Sequence, residues 1–216
     1  MNRLWLIAKS SIGKKELMAL TGFCLIMFLA VHLFGNLNIF RGTEAFNWYA
    51  HKLHSLPLFV KLFELGLLAI GAIHVFFATV LVLQNLMARP HRYNFKKWEG
   101  GRSFGSWSML VTGPYILLFV IFHLLHFTLM DKGGRNISSI VAERFQDPVW
   151  VAFYAISMVF VGLHVSHGFW SGFQTLGVEN ERRGELRSLG LLVSLVFAVT
   201  FGAIPVVVYG ISNLLQ

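Results

Sequence analysis

Charged residues are scarce in this sequence. Asp, Glu, Lys and Arg make up 13% of the 216 residues, whereas hydrophobic residues make up 56%. A soluble domain carries roughly 25% charged residues. The deficit falls in five apolar stretches, each near or above the ~20 residues that a helix needs to cross the hydrocarbon core of a membrane. The composition excludes an ordinary soluble domain and predicts an integral membrane protein.

Cysteine is almost absent. Cys24 is the single cysteine and lies in the first apolar stretch. One cysteine excludes a disulfide framework and the C-x-x-C-H motif that attaches haem covalently, so any bound haem would be held non-covalently. The first apolar stretch also lacks a small-residue cleavage site after it. We therefore expect it to be a membrane span and not a removable signal.

The five apolar stretches predict an all-α, five-helix membrane bundle. The predicted spans run from Leu17 to Phe40, Pro57 to Ala88, Trp107 to Met130, Pro148 to Leu176 and Leu189 to Leu215. The polar connections are too short to form a separate soluble domain. We expect residues 1–216 to form a single transmembrane domain, with any catalytic domain on another chain.

Basic residues lie in the connections and give a net charge of +8. They form no aromatic-studded basic face, so nucleic-acid binding is not predicted. Twelve of the 18 lysines and arginines fall on the side of the N-terminal tail, the connection from Arg89 to Arg102 and the connection around Arg183. Because cytoplasmic loops are enriched in Lys and Arg, the N-terminus is predicted to be cytoplasmic and the C-terminus to lie outside.

Histidine is unusually frequent within the apolar stretches. Ionisable residues in a membrane are costly and often mark function, although any one of them could simply bond to a backbone carbonyl and pack between helices. Six of the nine histidines lie in predicted spans: His32, His74, His123, His126, His164 and His167.

Four of these histidines fall at two depths. Counted from the outer ends of their spans at 1.5 Å per residue, His32 and His123 lie about 12 and 10 Å deep, and His74 and His164 about 25 and 24 Å deep. Two imidazoles on opposite sides of a porphyrin give six-coordinate haem iron suited to electron transfer. We therefore predict an outer haem b on His32 and His123 and an inner haem b on His74 and His164, enclosed by the first four helices.

Other arrangements of the histidines remain open. His126 and His167 lie three residues beyond His123 and His164 on nearly the same helix faces, and depth disfavours them as ligands by about one turn. A zinc site would gather its ligands in one shell. A proton pathway would need several acids along a route, and Glu64 alone lies well inside a span.

Small residues lie near the predicted ligands. They would let a flat macrocycle or a neighbouring helix approach closely, although packing between helices would explain any one of them equally well. The set is Gly35, Gly71, Gly168 and Gly172.

Several segments together resemble a known family. They are Ile12 to Gly22 (IGKKELMALTG), His32-Leu33, Arg41 to Pro57 (RGTEAFNWYAHKLHSLP), Ile73-His74, Phe122-His123 and Leu163 to Gly177 (LHVSHGFWSGFQTLG). The chain resembles the five-helix, dihaem cytochrome b subunit of succinate:quinone oxidoreductases, the family of succinate dehydrogenases and quinol:fumarate reductases. The resemblance covers nearly the whole chain.

The resemblance implies a set of cofactors and partners. The axial ligands of the family fall on His32, His74, His123 and His164 of this sequence. A flavoprotein subunit with covalent FAD and an iron–sulfur subunit would complete the complex, in the cytoplasmic membrane of a bacterium. Electrons would pass between the clusters, the two haems and a quinone, for which the dihaem type favours menaquinone. The complex as a whole could form an oligomer.

Two other functions compete with this interpretation. Another dihaem cytochrome b, such as the anchor of a nitrate reductase or a hydrogenase, would need the same histidine pairs. A histidine-rich membrane transporter would need no haem. The segment from Arg41 to Pro57 favours the succinate family.

A quinone site is expected near the outer haem, because quinone chemistry couples electrons to protons and needs a titratable group that reaches water. Glu64 lies about 10 Å below the outer end of the second span, near the level of the outer haem ligands. His51 lies in the preceding connection and could hydrogen-bond a quinone carbonyl or a haem propionate. The alternative is that Glu64 merely pairs with Lys61 and that His51 satisfies a loop.

Overall fold

The structure is a computed structural model that describes residues 10–88, 104–178 and 182–214. The fold is entirely helical in this part of the chain. Five of the helices are long and apolar enough to cross a membrane. These observations confirm the predicted all-α fold with five membrane-capable helices. The basic connection from Arg89 to Arg102 lies outside the described residues.

Seven α-helices follow one another in the described residues. They are α1 (Ser11–Asn36), α2 (Thr43–His54), α3 (Pro57–Met87), α4 (Phe104–His123), α5 (Ile137–Arg144), α6 (Pro148–Thr175) and α7 (Arg183–Leu214). A 3-10 turn, Leu37–Arg41, follows α1, and a π-helical segment, Leu124–Thr128, extends α4. The membrane-capable helices are α1, α3, α4, α6 and α7, whereas α2 and α5 are short.

Capping side chains and prolines account for where α1, α3 and α6 begin. The hydroxyl of Ser10 accepts a hydrogen bond from the backbone N–H of Gly13 at 2.9 Å and caps α1. The carboxylate of Asp147 does the same for the N–H of Val149 at 2.8 Å and caps α6. Pro57 and Pro148 begin α3 and α6, where a missing N–H costs nothing because the first turn has no internal acceptor for it.

The boundaries of two spans differ from those predicted. Helix α1 begins at Ser11 and not at Leu17, and α7 begins at Arg183 and not at Leu189. The prediction marked the apolar part of each helix, whereas backbone hydrogen bonding continues through the adjacent charged residues. The helices α2 and α5 occupy connections for which no helix was predicted.

The four helices that carry the paired histidines are arranged as a ring. Helix α1 packs against α3 and α6, and α6 packs against α4, while α3 and α4 make no extensive contact within the described residues. The order around the ring is therefore α3, α1, α6 and α4. Helices α1 and α4 lie diagonally opposite, as do α3 and α6. Helix α7 packs along the outside of α6.

The contact between α6 and α7 is the most extensive in the bundle. Small residues form it: a Cβ added to Gly162 would lie 3.0 Å from the Cβ of Ala198, and one added to Gly190 would lie 3.1 Å from the ring of Phe169. In a membrane, close approach of helix backbones replaces the hydrophobic effect as the source of helix association.

At one end of the bundle, the spans are joined by paired short helices. The amide of Asn47 on α2 donates a hydrogen bond to the hydroxyl of Ser138 at 2.9 Å, and its carbonyl accepts one from the N–H of Ser138 at 3.1 Å. Phe46 of α2 and Phe145, which follows α5, are buried in the same hydrophobic core as the spans. The two connections therefore form one layer over this end of the bundle.

Replacing Gly162 with Leu should loosen the α6–α7 contact, because the added side chain has no room beside Ala198. Overpacking of this kind costs about 1–3 kcal/mol. We expect the midpoint of thermal unfolding in detergent to fall by several degrees. Gly66→Leu is the matched control, since a side chain there meets nothing within 4 Å. An equal loss of stability in both variants would contradict the packing argument.

Candidate haem-binding sites

The histidines of the inner pair face each other across the ring of helices. The ring centres of His74 on α3 and His164 on α6 are 6.4 Å apart. The two side chains therefore come from diagonally opposite helices and meet inside the bundle.

His164 is fixed by a hydroxyl from a neighbouring helix. Thr112 on α4 is buried, with 1% of its surface exposed. Its hydroxyl donates its single hydrogen to the carbonyl of Ser108 at 2.9 Å and lies 3.1 Å from Nδ1 of His164. Since that hydrogen is already used, the hydroxyl can only accept from His164. The proton therefore lies on Nδ1, and Nε2 of His164 keeps its lone pair for a metal.

His74 is fixed in the same tautomer by α1. Its Nδ1 lies 3.1 Å from the backbone carbonyl of Met18, which can only accept, and 3.2 Å from the hydroxyl of Thr21. Gly22 makes this approach possible, because a Cβ there would lie only 3.3 Å from Cε1 of His74. Histidines that bind metals usually donate their second N–H to a carbonyl or a similar acceptor in this way.

The histidines of the outer pair also face each other. The ring centres of His32 on α1 and His123 at the end of α4 are 5.8 Å apart. Nδ1 of His123 is buried and has no hydrogen-bond partner among the described residues. An unsatisfied buried nitrogen is costly, and His123 lacks, among the described residues, the Nδ1 acceptor that both inner histidines have.

Aromatic rings surround the outer pair. Phe28 stacks on His32 with ring centres 5.2 Å apart, and Phe201 of α7 lies 5.7 Å from it. Phe127 and Tyr154 lie 5.4 and 6.1 Å from His123. A shell of this kind keeps water from a metal site and thereby tunes its chemistry.

In each pair, the distance between the two histidine rings fits one metal ion bound by both. A metal held at about 2 Å by one nitrogen of each ring would separate the two ring centres by roughly 6 Å. The observed separations of 5.8 and 6.4 Å bracket that value. Across the described residues no group of three or more His, Cys, Asp or Glu side chains is placed to hold a metal ion.

Open space lies beside the inner pair. A Cβ added to Gly71, one turn before His74, or to Gly168, one turn after His164, would meet nothing within 4 Å. Gly35 and Gly172 are different, since the rings of Tyr49 and Phe23 pack directly against them, so these two glycines serve contacts between side chains and helices. The space at Gly71 and Gly168 fits a group wider than a metal ion alone.

The two pairs are separated in depth. Gly22, beside His74, and His32 are ten positions apart on α1, which amounts to about 15 Å along the helix axis. Tyr154, beside His123, and His164 are also ten positions apart on α6. The structure thus brings together the predicted partners at two levels.

His126 and His167 have other neighbours. Nδ1 of His126 lies 3.1 Å from the hydroxyl of Tyr154, and its ring meets that of Trp150 edge-on at 4.3 Å. His167 contacts the ring of Trp170. None of these contacts joins either histidine to the opposite member of a histidine pair.

The residues predicted for the quinone site lie toward the outer end of the bundle. Nζ of Lys61 is 3.7 Å from a carboxylate oxygen of Glu64, whose side chain is 44% exposed. Nε2 of His51 lies 3.2 Å from the side-chain oxygen of Asn136. Phe63, next to Glu64 in the chain, contacts Phe28, which stacks on His32. Nothing in these contacts tests a quinone role, and it stays a prediction.

Sequence reasoning missed residues that contact the histidines from other helices. Thr112, Thr21 and Tyr154 reach histidines from other helices, more than 25 positions away in the chain. The available signal was a hydroxyl inside an apolar span. It is easily overlooked, because a threonine hydroxyl in a helix often bonds to a backbone carbonyl of the same helix.

Comparison with known proteins confirms the resemblance found in the sequence. The chain is similar to the succinate dehydrogenase cytochrome b558 subunit of Bacillus subtilis (strain 168), with 25% identity over 179 residues that cover 81% of this chain and 84% of that protein. No protein-family model and no solved structure matches the chain.

Replacing His164 with Ala should remove the inner haem alone, because the haem would lose one of the two axial imidazoles that fix it between α3 and α6. The haem content, measured as the pyridine haemochrome of purified protein, should fall from two to one per chain. His123→Ala should likewise remove the outer haem. His167→Ala and His126→Ala are the matched controls and should keep both haems. Loss of a haem in a control, with retention in its partner variant, would overturn the assignment.

Proposed function

We propose that the chain is the membrane-anchor cytochrome b subunit of a succinate:quinone oxidoreductase. In this role it passes electrons between an iron–sulfur subunit and membrane quinone through two b haems. His32 and His123 bind the outer haem, and His74 and His164 bind the inner one. The observation that carries the proposal is the meeting of four histidines from four helices in two pairs at different depths. The similarity to a succinate dehydrogenase cytochrome b558 subunit supports this choice of complex.

The residues of this chain present the imidazoles and exclude water. When bound, haem b supplies a reversible one-electron iron couple, and two axial imidazoles leave no position open for oxygen. Thr112 and the carbonyl of Met18 hold the Nδ1 hydrogens of His164 and His74, so that the Nε2 lone pairs are free for the metal. Around the outer pair, aromatic side chains keep the site dry.

The inner end of the bundle is the docking side in this proposal. The inner pair lies nearer to the end that carries Lys14, Lys15 and the arginines at the start of α7, and positive residues favour the cytoplasmic side of a membrane. The iron–sulfur subunit would bind there, with the flavoprotein subunit and its FAD beyond it. The dicarboxylate chemistry would then take place on those chains, and this chain would serve as anchor and conductor.

The quinone site belongs to the outer end. Glu64 is exposed enough to exchange protons with water, and the contact of Phe63 with Phe28 links its neighbourhood to His32. Reducing or oxidising a quinone moves two protons with two electrons, so a carboxylate beside the outer haem suits this step. His51 lies in the adjacent layer of short helices and would contribute a second polar contact. Menaquinone is the proposed quinone.

The function is tested on the purified membrane complex. Reduced-minus-oxidised spectra should show b-type bands, with two haems per chain by pyridine haemochrome. Succinate should reduce these haems, and a menaquinone analogue should re-oxidise them. A protein without a reducible Soret band would indicate a transporter instead. Two haems that succinate does not reduce would indicate the anchor of another respiratory complex.

Glu64→Gln should abolish most quinone-linked turnover while both haems and dye-linked succinate oxidation remain, since the amide cannot exchange a proton. Lys61→Gln is the matched control, because it breaks the same ion pair and leaves the carboxylate in place. We expect Lys61→Gln to keep most of the quinone activity, as measured by reduction of a menaquinone analogue. Equal losses in the two variants would mean that the ion pair matters and not proton exchange by Glu64.

A further inference from the structure

The two inner histidines are held by unequal sets of acceptors. Nδ1 of His74 has two, the carbonyl of Met18 at 3.1 Å and the hydroxyl of Thr21 at 3.2 Å. The hydrogen bond recorded for Nδ1 of His164 is the one to the hydroxyl of Thr112, at 3.1 Å. His74 is thus secured by a backbone atom that no substitution removes, whereas His164 depends on one side chain.

The Thr112 hydroxyl is itself locked in place. The side chain is buried, and its hydrogen is donated to the carbonyl of Ser108, one turn earlier in the same helix. The oxygen lone pair therefore has a fixed direction, toward α6 and Nδ1 of His164. Gly113, the next residue, leaves the imidazole room, since a Cβ there would lie 3.8 Å from Cε1 of His164.

We propose that Thr112 is the positioning residue of the inner haem site, fixing the orientation and the tautomer of His164 from the neighbouring helix. The inference rests on the proposed binding of haem between His74 and His164. Thr112 does not touch the metal and acts only through the imidazole. The counterpart on α1, Thr21, shares its task with a backbone carbonyl and is dispensable.

Two measurable effects follow from removing the hydroxyl. Loss of an acceptor behind a metal-bound histidine typically weakens metal binding about 10–100-fold. It also makes the imidazole a poorer electron donor to iron, because a donated Nδ1–H raises ligand basicity. Ferric iron loses more from this than ferrous iron, so the reduction potential of the inner haem should rise.

Thr112→Val removes the hydroxyl at nearly constant volume and is the test. In the purified complex, the inner haem should pass to excess apomyoglobin about 10–100-fold faster than in the wild type. Its midpoint potential in a redox titration should rise, while the outer haem keeps its potential and its rate of loss. Thr112→Ser, which keeps the hydroxyl, should restore both properties. Thr21→Val, the matched control, should stay near the wild type.

The outcomes separate this inference from the proposed function. If His164→Ala retains two haems, the haem assignment itself is wrong. If His164→Ala loses one haem but Thr112→Val binds and titrates like the wild type, the role of Thr112 alone is overturned. Equal effects of Thr112→Val and Thr21→Val would also overturn it. If Thr112→Val fails to retain the outer haem, the same measurements are made on Thr112→Ala, which removes the hydroxyl without adding apolar bulk.

Discussion

An imidazole placed among hydrocarbon chains must have both of its ring nitrogens satisfied, and the rest of this structure depends on that constraint. Water is absent there, and an unpaired polar atom costs several kcal/mol. For the inner pair, one nitrogen of each ring is hydrogen-bonded to a neighbouring helix and the other faces its partner. In the outer pair, Nδ1 of His123 has no hydrogen-bond partner among the described residues. Each proposed haem would be bound between the two facing histidines of a pair.

The helix arrangement determines where a ligand between the histidines of a pair would lie. Histidines from diagonally opposite helices meet at the centre of the ring, whereas histidines from adjacent helices would meet at its edge. Glycine at Gly22 lets α3 approach α1 closely enough for His74 to reach a backbone carbonyl. Helix α7 contributes from outside the ring, since Phe201 contacts His32. The close packing of α6 with α7 then steadies the helix that carries His164.

The sequence predicted the spans and the histidine pairs because both depend on local signals. Hydropathy marks the spans, Pro57 and Pro148 mark two of their ends, and a fixed rise per residue converts positions into depths. The short helices α2 and α5 were not predicted, because they depend on contacts such as Asn47 with Ser138, far apart in the chain. The same holds for Thr112 behind His164. The roles of Glu64 and His51 remain predictions, since their contacts fit an ion pair and a loop equally well.

The histidine pairs join the first span to the third and the second span to the fourth, so the two pairs form in a fixed order during biosynthesis. Chains emerge from the ribosome N-terminus first, and each histidine pair joins two spans that have one span between them. The outer pair is complete as soon as α4 enters the membrane, whereas the inner pair must wait for α6. Until then His74 has its hydrogen bond to α1 but no partner across the ring. The nascent chain can therefore assemble its outer histidine pair before its inner pair exists.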